Sequence, residues 1–271
     1  MILIADSGST KTDWGVTQSQ GINPFHQSPE AIRQILRSEV LPSLPADEIS
    51  SVYFYGSGVR PEMESLMVSL LHEVFPLAFT VEAHSDLLGA ARALCGHNYG
   101  IASILGTGAN SCLYDGERIV QNTPALGYIL GDEGIGAVLG KRFLRSHYMG
   151  ILSKEIVSIF EDETGLTLPK DINRVYRQPL ANRFLASLSE FICRHKSHPG
   201  IHQLVVDNFS DFFRLHIAPY NHPELPVSFV GSVAWYYQDE LQEAAIREGF
   251  TVGVVLQTPM PGLQRYHNQN S

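Results

Sequence analysis

The sequence predicts an α/β protein built in two halves, because one order of elements occurs twice along its 271 residues. Each half begins with three short strands and continues with helices alternating with strands, the pattern of a sheet covered by helices. Each half also has a strand that ends in a turn of small residues, at residues 6–12 and 106–110. The chain is 44% hydrophobic and can bury a full core, and its length favours two domains.

The first half, residues 1–98, is expected to form the N-terminal domain. Its short apolar runs predict strands, and its apolar residues at helical spacing predict helices. The predicted strands are 2–6, 13–18, 22–26, 51–55 and 79–83, and the predicted helices are 29–40, 61–75 and 86–94. Pro29 suits the first position of a helix, and Ser85 has the side chain of an N-cap.

The second half, residues 99–271, is expected to repeat the first with a helical insertion at about 133–219. The predicted strands are 101–105, 110–114, 118–121, 226–230 and 251–256, and a helix is predicted over 234–248. Asp115-Gly116 is typical of a hairpin turn, and Gly249 suits a helix end. The boundary between the halves is placed at 97–100, in a short loop.

The turn after the first strand combines a carboxylate with small residues and hydrogen-bond donors. Asp6 ends the strand and is followed by Ser7, Gly8, Ser9, Thr10 and Lys11. Gly8 lets a ligand lie against the backbone, and the N–H and O–H donors can hold phosphate oxygens. A carboxylate at the position of Asp6 could hold a magnesium ion through water. The alternative is an ordinary hairpin turn.

A second turn repeats this pattern, with Gly106-Thr107-Gly108 between two strands. Two such hairpins can bind one polyphosphate from two sides, so the repeat favours phosphate binding. The turn has no third glycine at Ser111 and is therefore not a dinucleotide fingerprint. Residues 134–141 look like a P-loop, but the glycine spacing is wrong and Arg142 stands where Ser or Thr binds magnesium.

Composition excludes some partners and indicates a compartment. The net charge of −9 argues against nucleic acid or an anionic membrane as the main partner, since both favour a basic surface. Cys95, Cys112 and Cys193 form no CxxC pair, which predicts free thiols in a reducing compartment. No signal peptide or membrane-spanning run is recognised, so a cytoplasmic location is expected.

A group of zinc-ligand side chains lies in the helical insertion. Its members are Cys193, His195, His198 and His202. Pro199-Gly200 interrupts the helix before the last histidine, so the four side chains do not share one helical face. We therefore favour a solvated helix end over a metal site.

Six segments together resemble the actin-like ATPase and sugar-kinase superfamily, and within it the N-acetylglucosamine kinase and BadF/BadG/BcrA/BcrD ATPase family. The resemblance covers nearly the whole chain, and the segments occur in the family's order. They are a first phosphate loop (6–14), a sugar-side loop (21–24), a catalytic-aspartate segment (85–91), a second phosphate loop (105–110), a Gly-Asp-Glu-Gly signature (127–134) and an adenosine loop (229–234).

The resemblance implies two actin-like, ribonuclease H-like domains with mixed five-stranded sheets and ATP at the floor of a cleft. It implies transfer of a phosphoryl group from ATP to a sugar hydroxyl, here the 6-hydroxyl of N-acetylglucosamine. Asp86 would be the general base, with a simple helix N-terminal carboxylate as the alternative, and Asp6 would hold Mg²⁺ through water. The implied nucleotide contacts are Asp6, Gly8, Ser9, Thr10, Lys11, Gly106, Thr107, Gly108, Gly231 and Ser232. The implied sugar contacts are Asn23, Asn110, Gly127, Tyr128 and Asp132.

Two departures from the family pattern leave alternatives open. Gly231-Ser232 stands where related kinases often have Gly-Gly, and Leu126 stands where animal relatives can have an aromatic residue. Another amino sugar or a hexose is therefore possible.

The rival functions are a BadF-type ATPase activator, which needs cysteine ligands for an iron–sulfur cluster, and a nucleotide-binding sensor without turnover. The oligomeric state is also open, with a homodimer as one option.

Overall fold

The computed structural model describes residues 1–8 and 10–268, and its contacts divide the chain into two compact units. Unit 1 comprises Met1–Ala102, Tyr114–Val120 and the segment from Thr258 onward. Unit 2 comprises Ser103–Leu113 and Gln121–Gln257.

The described residues form two five-stranded mixed sheets, as the sequence predicts. The strands are β1 (Ile2–Ser7), β2 (Lys11–Asp13), β3 (Gln18–Gln20), β4 (Ser51–Gly56), β5 (Thr80–Ser85), β6 (Gly100–Leu105), β7 (Ala109–Tyr114), β8 (Ile119–Thr123), β9 (Val227–Val230) and β10 (Val252–Leu256). The first sheet has the order β3-β2-β1-β4-β5, and the second has the order β10-β9-β6-β7-β8. In the first sheet β1 pairs antiparallel with β2 and parallel with β4, and β5 continues the parallel part.

The described helices cover these sheets and make up most of unit 2. They are α1 (Pro29–Ile35), α2 (Pro61–Val74), α3 (Asp86–Cys95), α4 (Gly127–Leu130), α5 (Gly136–Tyr148), α6 (Lys154–Thr164), α7 (Leu168–Tyr176), α8 (Ala181–Arg194), α9 (Pro199–Phe212), α10 (Ser232–Tyr236), α11 (Gln238–Arg247) and α12 (Met260–Asn268). Single π-helical turns extend α1 over Leu36–Val40 and α9 over Phe213–Ile217. Among the described residues, none of the helices combines the length and the apolar character that crossing a membrane requires.

The second and third strands begin earlier than the sequence predicts. The prediction placed them at 13–18 and 22–26, whereas β2 and β3 lie at 11–13 and 18–20. The chain turns within 14–17, where the Trp14 N–H donates to the Thr17 carbonyl and Gly15 has a φ of 79°. Trp14 is buried in the core but Val16 is exposed, so their alternating apolar pattern belongs to a turn and not to a strand.

Two further differences concern helices. The predicted helix over 234–248 is divided into α10 and α11, and α12 was not predicted at all. Helix α12 packs within unit 1, where Met260 and Leu263 join a buried cluster with Ile4 of β1. Gly262 permits the close approach, because a Cβ there would lie 2.3 Å from the Ala93 carbonyl oxygen.

Candidate functional site

Unit 1 brings several charged side chains to the carboxyl end of its parallel strands. Asp6 lies at the end of β1, directly opposite Asp13 in the antiparallel register, and Asp86 begins α3 immediately after β5. In open α/β sheets this edge is where ligands usually bind. The chain therefore places two of the predicted site residues, Asp6 and Asp86, at one edge of one sheet.

The charge of Asp86 acts on Asp6. The pKa of Asp6 is raised to about 7, chiefly by burial; the charges of Asp86 and Asp13 add to the rise, and Lys11 opposes it. Burial also raises the pKa of Asp86, although its Oδ1 accepts the Leu87 N–H at 2.9 Å. Such crowding of carboxylates is relieved by a bound cation. In the parts of the chain that the structure describes, no three His, Cys, Asp or Glu side chains are grouped closely enough to hold a metal ion.

Several polar groups of the turn between β1 and β2 form hydrogen bonds within the protein. The Gly8 N–H donates to the Lys11 carbonyl at 3.0 Å. The Ser7 and Thr12 hydroxyls are buried, lie 2.6 Å apart and bond to the backbone of Ile22. These two hydroxyls therefore tie the hairpin to the next loop.

The outer residues of this turn face solvent. The side chains of Thr10 and Lys11 are exposed, whereas Ser9 lies outside the described residues. Thr10 also joins the turn to the loop that follows β3, because its carbonyl accepts the Gly21 N–H at 3.0 Å. Thr10 and Lys11 can thus offer a hydroxyl and an ammonium group to an anion.

Asn23 is fixed between two loops of unit 1. Its Oδ1 accepts the Phe25 N–H at 3.0 Å, and its own N–H donates to Gln27 Oε1 at 2.8 Å. The chain passes so close at Gly58 that a Cβ there would lie 2.1 Å from Asn23 Oδ1. Asn23 is therefore held in one orientation behind the loop that follows β4.

In unit 2 the turn between β6 and β7 lies against the Gly-Asp-Glu-Gly segment. The Gly106 N–H donates to the Gly108 carbonyl at 3.2 Å, and Thr107 is exposed. A Cβ at Gly108 would lie 3.7 Å from Asp132 Oδ2. Burial raises the pKa of Asp132, and the nearby backbone N–H groups of Gly127 and Ala109 oppose this rise. Asp132 thus joins these two segments, which are distant in sequence.

Two other predicted sugar residues lie in the same unit. Asn110 Oδ1 accepts the Asn122 side-chain amide at 2.9 Å and the Ser111 N–H at 3.0 Å. The Tyr128 carbonyl accepts Lys141 Nζ at 3.0 Å, and the adjacent Gly127 has a φ of 76°. Both Asn110 and Tyr128 therefore have defined local partners.

The predicted adenosine loop contacts the strand that leads into the second turn. Gly231 lies between β9 and α10 with a φ of 128°, and a Cβ there would lie 2.3 Å from the Leu105 carbonyl oxygen. Only glycine fits this combination of backbone conformation and close approach. A cavity of about 400 Å³ opens beside the loop, with walls from α8 and from the residues after Gly231, including Ser232, Val233, Tyr236 and Tyr237.

The structure also reveals residues behind the Gly-Asp-Glu-Gly segment that the sequence did not single out. Glu133 Oε2 lies 2.9 Å from His216 Nε2, and the Gly134 N–H donates to Asn208 Oδ1 at 3.3 Å. Asn208 belongs to α9 and His216 to its π-helical extension. Because these partners are 83 and 74 residues away along the chain, no local pattern identifies them.

The histidines of the helical insertion have separate partners. His195 Nε2 lies 3.1 Å from Glu163, His198 Nε2 lies 3.0 Å from Ser153, and His202 Nε2 lies 2.7 Å from Glu243. Cys193 lies in the wall of the cavity beside the adenosine loop. These contacts fit the ionic and hydrogen-bonding roles expected of a helix end and loop.

Comparison with solved structures places the chain in a family. It superposes on the crystal structure of a candidate N-acetylglucosamine kinase from Porphyromonas gingivalis with a TM-score of 0.93 and 47% identity, covering 100% of this chain and 99% of that one. The chain belongs to the N-acetylglucosamine kinase family. This places it in the actin-like ATPase and sugar-kinase superfamily, as the sequence motifs predict.

More distant structures share the fold of this family member. A candidate N-acetylglucosamine kinase from Chromobacterium violaceum has a TM-score of 0.70 at 19% identity, covering 98% of both chains. The ROK hexokinase from Thermus thermophilus has a TM-score of 0.56 at 13% identity, covering 100% of this chain and 99% of that one. A scan of family models and a search of curated proteins find no match.

Proposed function

We propose that the protein is an ATP-dependent sugar kinase that phosphorylates an amino sugar, with the 6-hydroxyl of N-acetylglucosamine as the expected acceptor. The observation that carries this proposal is the placing of two half-buried acids with raised pKa values, Asp6 and Asp86, at one sheet edge of a chain 47% identical to a candidate N-acetylglucosamine kinase. Phosphoryl transfer depends mainly on positioning and charge neutralisation. Acids at a strand edge can contribute to both.

Asp86 is the proposed general base. A base must have an oxygen within reach of the proton of the attacking hydroxyl and a pKa near the working pH. Burial raises the pKa of Asp86, and the Leu87 N–H holds its Oδ1, which leaves Oδ2 to accept a proton. Its position at the start of α3, with Ser85 Oγ accepting the Leu88 N–H, fixes the carboxylate on a rigid element.

Asp6 is the proposed residue that holds Mg²⁺ through water. Bound Mg²⁺ neutralises charge on the β- and γ-phosphates. Mg²⁺ usually retains several waters and takes one or two carboxylates. The raised pKa of Asp6 supports this role, because a half-buried carboxylate that feels the charges of Asp86 and Asp13 gains from a cation.

The remaining residues are proposed to bind the two substrates. In unit 1, Gly8, Ser9, Thr10 and Lys11 would contact phosphate, and Asn23 would contact the sugar. In unit 2, Gly106, Thr107 and Gly108 would contact phosphate, and Gly231 and Ser232 would border the adenosine. The proposed sugar residues of unit 2 are Asn110, Gly127, Tyr128 and Asp132. The exposure of Thr10, Lys11 and Thr107 and the cavity beside Ser232 support these assignments.

A substrate screen tests the proposal. ADP release would be measured with Mg²⁺ and ATP against N-acetylglucosamine, glucosamine, N-acetylmannosamine and glucose, and the phosphorylated position would be identified by NMR. We expect the highest kcat/KM with N-acetylglucosamine and a 6-phosphate product. A chain that binds ATP but releases no sugar phosphate would contradict the proposal and favour a nucleotide-binding sensor.

Substitution of the proposed base gives the largest expected change in rate. Asp86→Asn should lower kcat by about 10²–10⁴-fold with little change in ATP or sugar affinity, because it removes a proton acceptor and keeps the shape. Glu62→Gln is the control, since Glu62 is an exposed acid in the first turn of α2. Equal and small losses in both variants would mean that Asp86 serves only as a helix N-terminal charge.

A further inference from the structure

We propose that His216 is a positioning residue, which fixes Glu133 and with it the turn of residues 131–134 for sugar binding. This inference rests on the proposed function, in which Asp132 of the same turn contacts the sugar. His216 does not itself reach the reacting groups in this proposal. It acts through the 2.9 Å contact between its Nε2 and Glu133 Oε2.

The turn of residues 131–134 needs support from outside its own backbone. Asp132 has a φ of 57°, a left-handed conformation that is unfavourable for residues other than glycine, and Gly134 has a φ of 90°. Such conformations persist when surrounding contacts enforce them, and they are common at binding sites. The Asp132 carboxylate lies against the turn between β6 and β7 on one side, because a Cβ at Gly108 would be 3.7 Å from its Oδ2.

Two buried side chains hold the other side. Asn208 Oδ1 accepts the Gly134 N–H, and His216 pairs with Glu133. Asn208 is fully buried and His216 is 4% exposed. The turn is therefore held at two consecutive residues, Glu133 and Gly134, by side chains from outside it.

His216 is itself fixed in place. Its ring stacks on Phe212 at a centroid distance of 5.0 Å and an interplanar angle of 18°. Its carbonyl accepts hydrogen bonds from Ser111 Oγ at 3.4 Å and from Thr123 Oγ1 at 2.9 Å. The imidazole thus presents one nitrogen to Glu133 from a rigid support.

The π-helical turn explains how one helix supplies both contacts. His216 follows Asn208 by eight positions, and in a regular α-helix this spacing leaves two side chains about 80° apart around the axis. The wider π turn over Phe213–Ile217 reduces the rotation per residue, which brings the side chains of Asn208 and His216 toward one face of the helix. Single π turns of this kind are frequent at functional sites.

Burying the polar side chains of Asn208 and His216 costs folding free energy, so their presence in the core is not explained by packing alone. In the described residues, His216 Nδ1 and Asn208 Nδ2 are buried without a hydrogen-bond partner. Apolar side chains of similar size would avoid this cost. The polar atoms that do have partners, His216 Nε2 and Asn208 Oδ1, both bond to the turn.

A second buried histidine in unit 2 provides a matched control. His147 is 6% exposed, lies 3.6 Å from Glu161, and has its ring parallel to that of Phe143, four residues before it. Its Nδ1 is also buried without a partner. His147 therefore shares the burial, ring packing and glutamate neighbour of His216, but it does not touch residues 131–134.

The experiment compares His216→Phe, His216→Gln and His147→Phe by steady-state kinetics with sugar and ATP varied separately. We expect His216→Phe to raise the sugar KM about tenfold while the ATP KM stays within about twofold. His216→Gln keeps an N–H near Glu133 and should recover most of the sugar KM, and His147→Phe should leave both KM values near wild type. Equal changes in the two Phe variants, or an unchanged sugar KM in folded His216→Phe, would overturn the proposal.

Hydrogen exchange of the ligand-free protein separates this inference from the proposed function. His216→Phe should increase amide exchange in residues 127–134 more than His147→Phe does. If wild type phosphorylates no sugar but this exchange pattern appears, the kinase proposal fails and the positioning role stands. If sugar turnover is present and exchange in 127–134 is unchanged, the positioning role fails and the kinase proposal stands.

Discussion

The two glycine-containing hairpin turns have similar local sequences but different chemistry. Both turns are closed by a backbone hydrogen bond between residues close in sequence. The Gly8 N–H donates to the Lys11 carbonyl in one turn, and the Gly106 N–H donates to the Gly108 carbonyl in the other. The strand before the first turn contributes its own carboxylate, Asp6, whereas Leu105 ends the corresponding strand before the second. The second turn instead lies beside Asp132, which comes from a later segment.

This difference suggests that the first turn depends on electrostatics and the second on close packing. The first turn lies beside acidic side chains that, together with burial, raise the pKa of Asp6. The second turn is arranged by close packing, with Gly231 against the Leu105 carbonyl and Gly108 beside the Asp132 carboxylate. We therefore expect substitutions near the first turn to change charge-dependent properties and those near the second to change packing.

Asp6→Asn tests the charge of the first turn. We expect kcat/KM for MgATP to fall about 100-fold or more, because a carboxylate that holds Mg²⁺ is lost. The metal-free protein should become more stable at pH 8 by roughly 2–4 kcal/mol, since folding no longer buries an anion. Urea unfolding at pH 5 and pH 8 measures this effect.

The sign of this stability change follows from the direction of the pKa shift. The pKa of Asp6 rises from its usual 3.8 to about 7 on folding, so the folded chain binds the proton more tightly. The metal-free wild type should therefore lose stability as pH rises from about 4 to about 7, and the gain in Asp6→Asn at pH 5 should be about half or less of the gain at pH 8. An equal gain at both pH values would show that the effect is not electrostatic.

A pair of glycine substitutions tests the packing of the second turn. Gly231→Ala should destabilise the fold by about 2–4 kcal/mol, because it combines a strained φ of 128° with a Cβ 2.3 Å from the Leu105 oxygen. Gly106→Ala should change stability by less than about 1 kcal/mol, since no atom lies within 4 Å of the added Cβ.

Gly106→Ala should separate ATP binding from stability. Gly106→Ala places a methyl group in the proposed phosphate turn and should raise the ATP KM despite an intact fold. Thermal melts and ATP kinetics on both variants provide the measurement. An unstable Gly106→Ala variant would contradict the open space that the structure gives this position.

The sequence predicts those parts of the fold and candidate site that depend on local chemistry. The turn at Gly106–Gly108 and the Ser85 N-cap before Asp86 are local signals, and the structure contains both elements as predicted. The assignment of these residues to ATP and sugar stays a prediction. A strand end followed by small residues is informative because backbone conformation restricts which residues fit there.

The sequence does not predict features that depend on contacts between distant segments. The buried hydroxyls of Ser7 and Thr12 satisfy the Ile22 backbone, which only the folded loop brings close. Helix α12 was missed because its apolar face is defined by packing on Ile4 at the other end of the chain. His216 was missed for the same reason, since its partner Glu133 lies far away in sequence.

The prediction with the smallest expected effect concerns the packing of α12 within unit 1. Helix α12 supports β1, the strand that leads into the first turn. His267 on α12 forms a 2.8 Å hydrogen bond with the Tyr55 hydroxyl and stacks on Tyr53 at 3.7 Å. Burial lowers the pKa of His267 to about 4, and Arg92 contributes to the shift. His267 is therefore neutral in the folded protein above that pH.

Acid should weaken this support only after it has begun to neutralise Asp6, whose pKa is about 7. An unfolded histidine takes up a proton near pH 6.5, so the stability that neutral His267 contributes should decline as pH falls from about 6.5 to about 4. Allowing for solvent screening, we expect a loss of about 1–2 kcal/mol over this range. His267→Gln retains a hydrogen-bonding amide without titrating in this range. In an Asp6→Asn background, which removes the opposing titration of Asp6, it should flatten the decline measured by urea unfolding at pH 7 and pH 5. A decline of unchanged size in His267→Gln would assign the acid sensitivity of unit 1 to other groups.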